Sequence, residues 1–477
     1  MPPSTKSLTI FTVSLALFMD VLDSNIINTA IPAISRSLQV NPVDLKIALI
    51  SYLLSLAIFI PISGWTADKY GAKPVFISAL GLFTFTSFWC GYAHTLLELV
   101  IARSIQGIGG AFMISLGRLM IARTFQKHEL VEAMNAVIIV VAVAVMLGPL
   151  VGGVITDHLS WPWIFWVNVP AGLIAMLLAA WSFKDLAPRK THPLDFWGFI
   201  LFGGSLAVFC LSLSELSESQ VKFAAILPQF AVSALMMLVY FMRAKHIPFP
   251  VVKTALFRNR TFQVSVLGNL CARLGFGGMP FLLPLLQQVG LGHSAQLSGL
   301  LLAPMAFGII FSKLLASRIL RHLGYKRYLL INTVLMGFVL LLFQSIDSQT
   351  PLYQIACLTF IFGIFTAAQY TGMNSLAFAE LHEDELSAST SITSTCQTLA
   401  QSLGVAVGAI LLRYFSSQVH QQPLMLSPRV FHHTFLVMSL LTFCSSLIFI
   451  RLKPGDGKQM LLVNLSSRHA SSRDPAP

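Results

Sequence analysis

Long apolar runs separated by short polar segments constrain this chain more than any other feature of its sequence. A helix needs about 20 apolar residues to cross the hydrocarbon core of a bilayer. Fourteen stretches meet that length, at roughly 8–31, 46–66, 74–94, 97–118, 132–156, 163–183, 196–214, 222–242, 262–286, 297–317, 328–346, 352–374, 390–413 and 433–452. Continuous runs favour helices over a barrel, whose strands alternate apolar and polar residues. We therefore predict an all-α polytopic membrane protein with 14 transmembrane helices.

Composition excludes the soluble alternatives. Only 10% of the 477 residues are charged and 55% are apolar, whereas soluble domains contain about 25% charged residues. The six cysteines lie inside apolar runs, where we expect small buried side chains and neither disulfides nor a metal site. The sequence contains no G-x-x-x-x-G-K-S/T loop, so we expect no built-in ATP-driven pump and no cofactor. A cytosolic enzyme, a secreted disulfide-rich domain and a disordered chain are all excluded.

The positions of Lys and Arg predict which way the spans run. A net charge of +12 would indicate nucleic-acid binding in a soluble protein, but in membrane proteins basic residues collect in cytoplasmic segments. An even number of spans puts both termini on one side, and 23 of the 31 Lys and Arg residues fall in segments on that side. We therefore predict cytoplasmic termini and no nucleic-acid partner.

A weak internal repeat divides the chain into two halves. Gly64–Lys73, which follows the second span, aligns with Ser317–Lys326, so that Gly71 matches Gly324. Repeats of this kind are typical of transporters. We predict a six-helix bundle at 1–184, two extra linker helices with a cytoplasmic loop at 185–258, a second six-helix bundle at 259–452 and a disordered cytoplasmic tail at 453–477.

Five motifs resemble those of the major facilitator superfamily and, more narrowly, of its 14-span drug:proton antiporter family. They are Gly64–Lys73 between spans two and three, Leu22–Pro32 in span one, Ala102–Gly110 in span four, Gly148–Gly153 in span five and Trp161–Pro170 at the entry to span six. The second half, from Arg273 to Asn374, looks most like the MdtD group of multidrug exporters. The resemblance implies a multi-pass protein of the bacterial inner membrane that exports small molecules by alternating access.

Two acids near the middle of span one are the candidate proton-coupling residues. Asp20 and Asp23 are three residues apart and share a helix face. An ionised Asp at mid-bilayer costs at least about 2.5–3.5 kcal/mol, so each must be neutral, paired or hydrated. Arg103 in span four has a similar depth, roughly 10 Å below the outer boundary, and we predict that it pairs with Asp23. A static salt bridge is the alternative to a proton-coupled switch.

Polar residues in other spans are candidates for the substrate cavity. Asn269 precedes Arg273 by one turn of span nine, and the apolar spans of the second half contain no Asp or Glu. We therefore expect Arg273 to face the cavity, where water, the substrate or an acid of span one balances its charge. The remaining candidates are Asn28, Gln106, Gln369, Tyr370, Asn374 and Gln397. Lys313 either faces the cavity or snorkels to the inner boundary.

Small residues and the signature loop are candidates for conformational change. Gly148, Gly152 and Gly153 permit close approach of helix backbones, and Pro149 removes a hydrogen-bond donor from span five. Tight packing without a gating role is the alternative. By resemblance, a loop that stabilises one conformation is formed by Gly64, Asp68, Lys69, Gly71 and Lys73.

The leading hypothesis is a monomeric proton-coupled exporter, with a small-molecule substrate and protons as its ligands and the lipid bilayer around it. Arg273 and Lys313 motivate an alternative, the export of an anionic metabolite or of a carboxylate-type chelator such as a siderophore. A membrane enzyme or a sensor is a third class of function. No nucleophile motif or metal-ligand cluster in the sequence favours that class.

Overall fold

The described residues form fourteen membrane spans. The computed structural model describes residues 3–183, 191–216, 223–382, 385–419 and 426–457. Within them, thirteen helices are long and apolar enough to cross a membrane. The longest, Ala295–Leu342, contains Gly324 at φ 70° and therefore comprises two helices joined at that residue. The described part of the chain thus has the predicted fourteen spans.

We number the spans α1 to α14. They are α1 (Pro3–Leu38), α2 (Lys46–Tyr70), α3 (Ala72–Gly91), α4 (Leu96–Thr124), α5 (Lys127–His158), α6 (Trp163–Ser182), α7 (Phe196–Glu215), α8 (Phe223–Ala244), α9 (Arg260–Gly290), α10 and α11 (the parts of Ala295–Leu342 before and after Gly324), α12 (Leu352–Phe378), α13 (Leu386–Val419) and α14 (Pro428–Ile450). We call α1–α6 the N half, α9–α14 the C half and α7–α8 the extra hairpin. Of the predicted tail, residues 458–477 lie outside the described residues.

The internal repeat is visible in the backbone. Gly71 joins α2 to α3 with φ 93°, and Gly324 joins α10 to α11 with φ 70°. Both turns use the positive-φ region, which glycine enters without steric cost. In the first copy, Arg123 Nη2 of α4 donates to Asp68 Oδ1 at 2.8 Å. In the second copy, the position that matches Asp68 is occupied by Arg321. This residue donates to Ser317 O of its own helix at 3.1 Å.

The two halves touch backbone to backbone at one end of the bundle. We call this the outer end; the inner end carries the α2–α3 turn. A Cβ atom on Gly153 of α5 would lie 2.3 Å from Ala295 O, and one on Gly299 of α10 would lie 2.2 Å from Pro149 O. The Asp157 carboxylate accepts from Gln296 N at 2.7 Å, at the first turn of α10. Larger residues would force α5 and α10 apart.

The hydrophobic core is shared between the halves at the outer end and divided at the inner end. One buried cluster includes both Ile26 of α1 and Leu302 of α10. Toward the inner end, separate clusters surround Phe76 in the N half and Tyr325 in the C half. A cavity of about 320 Å³ lies between α5 and α10 at that level. The structure is therefore closed at the outer end and open toward the inner end.

The extra hairpin covers one of the two lines along which the halves meet, the α2–α13 seam. Ser205 and Ser233 each donate a hydroxyl to the other's backbone carbonyl, at 2.9 and 2.8 Å, which joins α7 to α8. On α7, a Cβ atom at Gly203 would lie 2.9 Å from the Ile58 side chain of α2. The same helix places Cys210 against Ser402 of α13. The other line of contact is the α5–α10 seam.

Gly152→Leu should destabilise the fold more than two control substitutions. A Cβ atom at Gly152 would lie 2.4 Å from Thr29 Oγ1 and 2.6 Å from Ile26 O, so the leucine must push α5 away from α1. Gly64→Leu introduces the same side chain where no atom lies within 4 Å, and Leu147→Ala removes bulk from α5. We expect the midpoint temperature of thermal unfolding in detergent to fall by several degrees for Gly152→Leu. The two control variants should keep the midpoint of the parent protein. Equal midpoints for the three variants would show that this contact does not limit stability.

Candidate functional site

A buried ion pair lies inside the N half. Arg103 Nη1 donates to Asp23 Oδ2, and neither residue is exposed (0% each). The guanidinium also stacks on aromatic rings, with its Cζ 4.1 Å from the Tyr52 ring centroid and 5.7 Å from that of Phe165. The predicted contact between span one and span four is therefore present.

Side chains from two further helices extend the hydrogen bonding of Asp23. Asp23 Oδ1 accepts from Gln106 Nε2 at 3.2 Å and from Asn168 Nδ2 at 3.0 Å. Both amides also donate to Ser87 Oγ at 3.2 Å, and that hydroxyl donates to a backbone carbonyl of α6 at 3.0 Å. Gln106, a predicted cavity residue, thus belongs to this network. Because α1, α3, α4 and α6 all contribute, we call these residues the Asp23 network.

Asp20 lies one turn away in a different environment. Its Oδ1 accepts from Tyr52 Oη at 2.5 Å, and the residue is only 3% exposed. It lies close to α4 at Gly110, where a Cβ atom would be only 2.6 Å from that carboxylate oxygen. No ion pair to Asp20 occurs among the described residues. The two acids therefore differ: Asp23 is paired with a charge, and Asp20 with a neutral hydroxyl.

A small cavity separates the Asp23 network from the C half. Its volume is about 30 Å³, room for about one water molecule. The polar lining includes Asn28 and Arg103 from the N half and Gln401 from the C half. Two Arg103 nitrogens, Nε and Nη2, have no hydrogen-bond partner among the described residues. Of the predicted cavity residues, Asn28 therefore faces the boundary between the halves.

Arg273 is held by neutral groups of the C half in this structure, and no acid of α1 pairs with it among the described residues. Its Nη1 donates to Gln397 O at 3.0 Å and to Gln401 Oε1 at 3.4 Å. Its Cζ lies 4.1 Å from the centroid of the Tyr370 ring. Within the described residues no carboxylate pairs with it. A carbonyl, an amide oxygen and a π face replace a counter-ion, because α13 passes directly beside it.

The other predicted cavity residues fall into two groups. Gln397 donates to Asn374 Oδ1 and so joins α13 to α12 beside Arg273. Gln369 instead accepts from Asn332 at 2.6 Å and donates to Thr333 at 2.9 Å, which ties α12 to α11. Asn269 is buried, and its Oδ1 has no partner among the described atoms. Gln106 and Gln369 thus serve helix-to-helix networks in this conformation.

The remaining conformational candidates lie at the two ends of the bundle. Lys69 Nζ sits 4.6 Å from the centroid of the Trp65 ring at the inner end of α2. Lys73 follows in the first turn of α3. On α5, a Cβ atom at Gly148 would lie 2.6 Å from Asn25 Cβ of α1. The α5 glycines therefore contact both α1 and α10.

Sequence reasoning overlooked Tyr52, Ser87 and Asn168 as partners of the acids. Asn168 carried a usable signal, since it is the one amide in the apolar run of span six and lies in the motif Trp161–Pro170. A Tyr or a Ser inside an apolar run is too common to be singled out. Their role depends on which helices are neighbours, which no single span reveals.

Comparison with known proteins decides the family. The model of the Major Facilitator Superfamily matches residues 13–405 and 266–464. The chain belongs to this superfamily. It is 35% identical over 447 residues to "Probable transport protein HsrA" of Haemophilus influenzae, covering 94% of this chain and 96% of that protein. It is 32% identical over 470 residues to "Putative multidrug resistance protein MdtD" of Escherichia fergusonii, covering 98% and 99%. The predicted MdtD-like group is thereby confirmed.

Solved structures of low sequence identity share the fold. A D-xylose–proton symporter superimposes with a TM-score of 0.66 at 13% identity, covering 94% of this chain and 98% of that one. A bacterial homologue of the human lysosomal transporter Spinster, solved in an inward-facing and unoccupied conformation, gives 0.65 at 14% identity with the same coverage. The chain is a multi-pass transporter of the bacterial inner membrane, with the all-α fold that the apolar runs predict.

A double-mutant cycle should show that Asp23 and Arg103 depend on each other. Arg103→Met leaves a buried carboxylate without its cation and should lower the free energy of unfolding by about 3–5 kcal/mol. Combining it with Asp23→Asn removes both charges, so the double variant should lose less than the sum of the single losses by at least about 1 kcal/mol. Denaturant unfolding of the purified protein measures the loss for each single variant and for the double variant. Additive losses would mean that the contact contributes no coupling.

Proposed function

We propose that this protein is a proton-coupled exporter of small molecules that works by alternating access. The observation that carries the proposal is the buried Asp23–Arg103 pair beside the boundary between the halves. A carboxylate in the membrane interior is the group whose charge a single proton can cancel. The relatives described as multidrug resistance proteins support export as the direction of transport.

The geometry suggests how a proton would act. In its ionised form Asp23 accepts from Arg103, Gln106 and Asn168, and charge-assisted hydrogen bonds of this kind are about twice as strong as neutral ones. Protonation cancels the ion pair and leaves Arg103 buried without a counter-ion, which is costly. The protonated protein is therefore expected to favour a conformation in which Arg103 is hydrated. Opening the outer end next to the small cavity provides such a conformation.

The energy available from one proton is sufficient for concentration work. Each elementary charge that crosses the membrane releases about 2.3 kcal/mol per 100 mV of potential. A tenfold concentration ratio corresponds to about 1.4 kcal/mol. One proton therefore supports more than a tenfold gradient of an uncharged substrate, before any pH difference is counted.

Asp23→Asn should abolish proton-driven transport while leaving the protein folded. The amide keeps the shape of the side chain and part of its hydrogen bonding but cannot take up or release a proton. We expect gradient-driven flux of cationic dyes and organic anions into inverted membrane vesicles to fall to background. Asp347→Asn, in the loop between α11 and α12, is the matched control and should transport normally. Unchanged flux in the Asp23 variant would remove this residue from the coupling mechanism.

A second candidate function is the export of an anionic metabolite or carboxylate chelator. It is favoured by Arg273, a cation without a carboxylate partner among the described residues. An anion that reached it would replace neutral acceptors with a charge-assisted bond. The acids and the unpaired cation thus belong to different halves, which would separate the proton site from the substrate site.

Arg273→Ala tests this second function. We expect the variant to weaken the transport of organic anions about tenfold and that of cationic dyes little, because only the anions lose a charge-assisted contact. The same vesicle panel measures both classes. Normal export of cations by the variant, together with a parent protein that no anion inhibits, would leave cationic or neutral compounds as the substrates.

A further inference from the structure

A second cavity, separate from the Asp23 network, combines apolar walls with two cations. It has a volume of about 320 Å³ and lies between α1, α4, α5 and α10 toward the inner end. Its apolar lining includes Leu17, Ile121, Val137, Val141, Ala306 and Ile309. Arg118 of α4 and Lys313 of α10 also line it. We call this the α5–α10 cavity.

The two cations lie more than one helical turn in from the inner end and have no ion-pair partner among the described residues. Arg118 lies five residues before Arg123, which pairs with Asp68 at the inner end, and is therefore about 7.5 Å deeper. Lys313 lies eleven residues before the Gly324 turn, about 16 Å along its helix. Both side chains are accessible where they line the cavity, and neither pairs with a carboxylate among the described residues. A cation at this depth needs water or an anion.

The acids near this cavity do not line it. Asp20 is the acid that acts electrostatically on Arg118, but its carboxylate accepts from Tyr52 and is not among the residues that line the cavity. All titratable groups that line the cavity are cationic. The cavity is therefore electrostatically complementary to an anion.

The cavity lies on the side of the bundle that the extra hairpin does not cover. The hairpin packs on the α2–α13 seam, while this cavity opens along the α5–α10 seam. The lining residue Ile138 is 46% exposed, and its neighbour Ile139 is 65% exposed, so α5 is in contact with the surrounding lipid at this level. This exposure leaves a route to the cavity along the lipid-facing side of α5.

We propose that the α5–α10 cavity binds single-chain amphiphilic anions, such as medium-chain carboxylates, as substrates of the exporter. The apolar walls accept the chain, and Arg118 and Lys313 bind the head group. A volume of about 320 Å³ is near the lower limit of ligand pockets, which suits one acyl chain better than two. The transport part of this inference rests on the proposed function; the binding part does not.

Binding to the purified full-length protein in phosphatidylcholine nanodiscs provides the test. Labelled dodecanoate is the probe, and the competitors are dodecyl sulfate and dodecyltrimethylammonium, which share its chain length but differ in charge. Dodecyl sulfate should displace the probe and the ammonium compound should not. Arg118→Gln and Lys313→Gln should each weaken binding about tenfold, since each removes one charge-assisted contact. Arg318→Gln, an exposed cation of α10 outside the cavity, is the matched control and should bind normally.

Charge reversal separates specific binding from partition into any apolar groove. The double variant Arg118→Glu/Lys313→Glu should lose dodecanoate and gain binding of dodecyltrimethylammonium. The proposal is overturned if both amphiphiles compete equally in the parent protein, or if the reversed variant keeps the parent's preference. It is also overturned if phosphatidylglycerol in the nanodisc displaces dodecanoate, since the site would then belong to a diacyl lipid.

The same experiment keeps this inference apart from the proposed function. Selective dodecanoate binding without proton-driven flux in vesicles would support the site and contradict proton coupling. Proton-driven flux of dyes in a protein that does not bind dodecanoate selectively would support the exporter and overturn the site.

Discussion

The burial of Asp23 with Arg103 determines how the N half is assembled. Two charges can be kept out of water only when they are paired and their remaining hydrogen-bonding groups are occupied. Gln106, Asn168 and Ser87 occupy those of Asp23, and these residues bring α4, α6 and α3 into fixed positions around α1. Every hydrogen-bond partner of Asp23 comes from the N half, so under alternating access as proposed the network would move as one body.

The closure of the outer end depends on backbone contacts that lie next to this network. Gly152 packs on α1 at Ile26, one turn beyond Asp23, while the adjacent Gly153 packs on Ala295 of α10. One turn of α5 thus contacts α1 on one face and the opposite half on the other. A change in the position of α1 is therefore transmitted to the α5–α10 seam through rigid backbone rather than through flexible side chains.

The sequence was sufficient to predict the fold and part of the site. Span number follows from apolar length, and the matched Gly71 and Gly324 follow from a turn that requires positive φ. The Asp23–Arg103 contact could be predicted because buried charges must find each other. The neutral partners of Arg273 could not, since a backbone carbonyl of α13 leaves no trace in the sequence. Neither could the α5–α10 cavity, which exists only because the halves separate toward one end.

Asp23 and the α5–α10 cavity differ in their exposure. This difference bears on how a proton and a substrate can exclude each other. Asp23 is fully buried when the outer end is closed, whereas Arg118 and Lys313 are exposed in a cavity that is open toward the inner end. A proton and an anion would then occupy separate sites and have no shared position to compete for. Antiport can still arise if each ligand stabilises a different conformation, since a ligand shifts an equilibrium only by its difference in affinity for the two states. In such a protein, exchange depends on which end of the bundle is open. The α5 glycines determine how closely the halves pack at the α5–α10 seam when the outer end is closed.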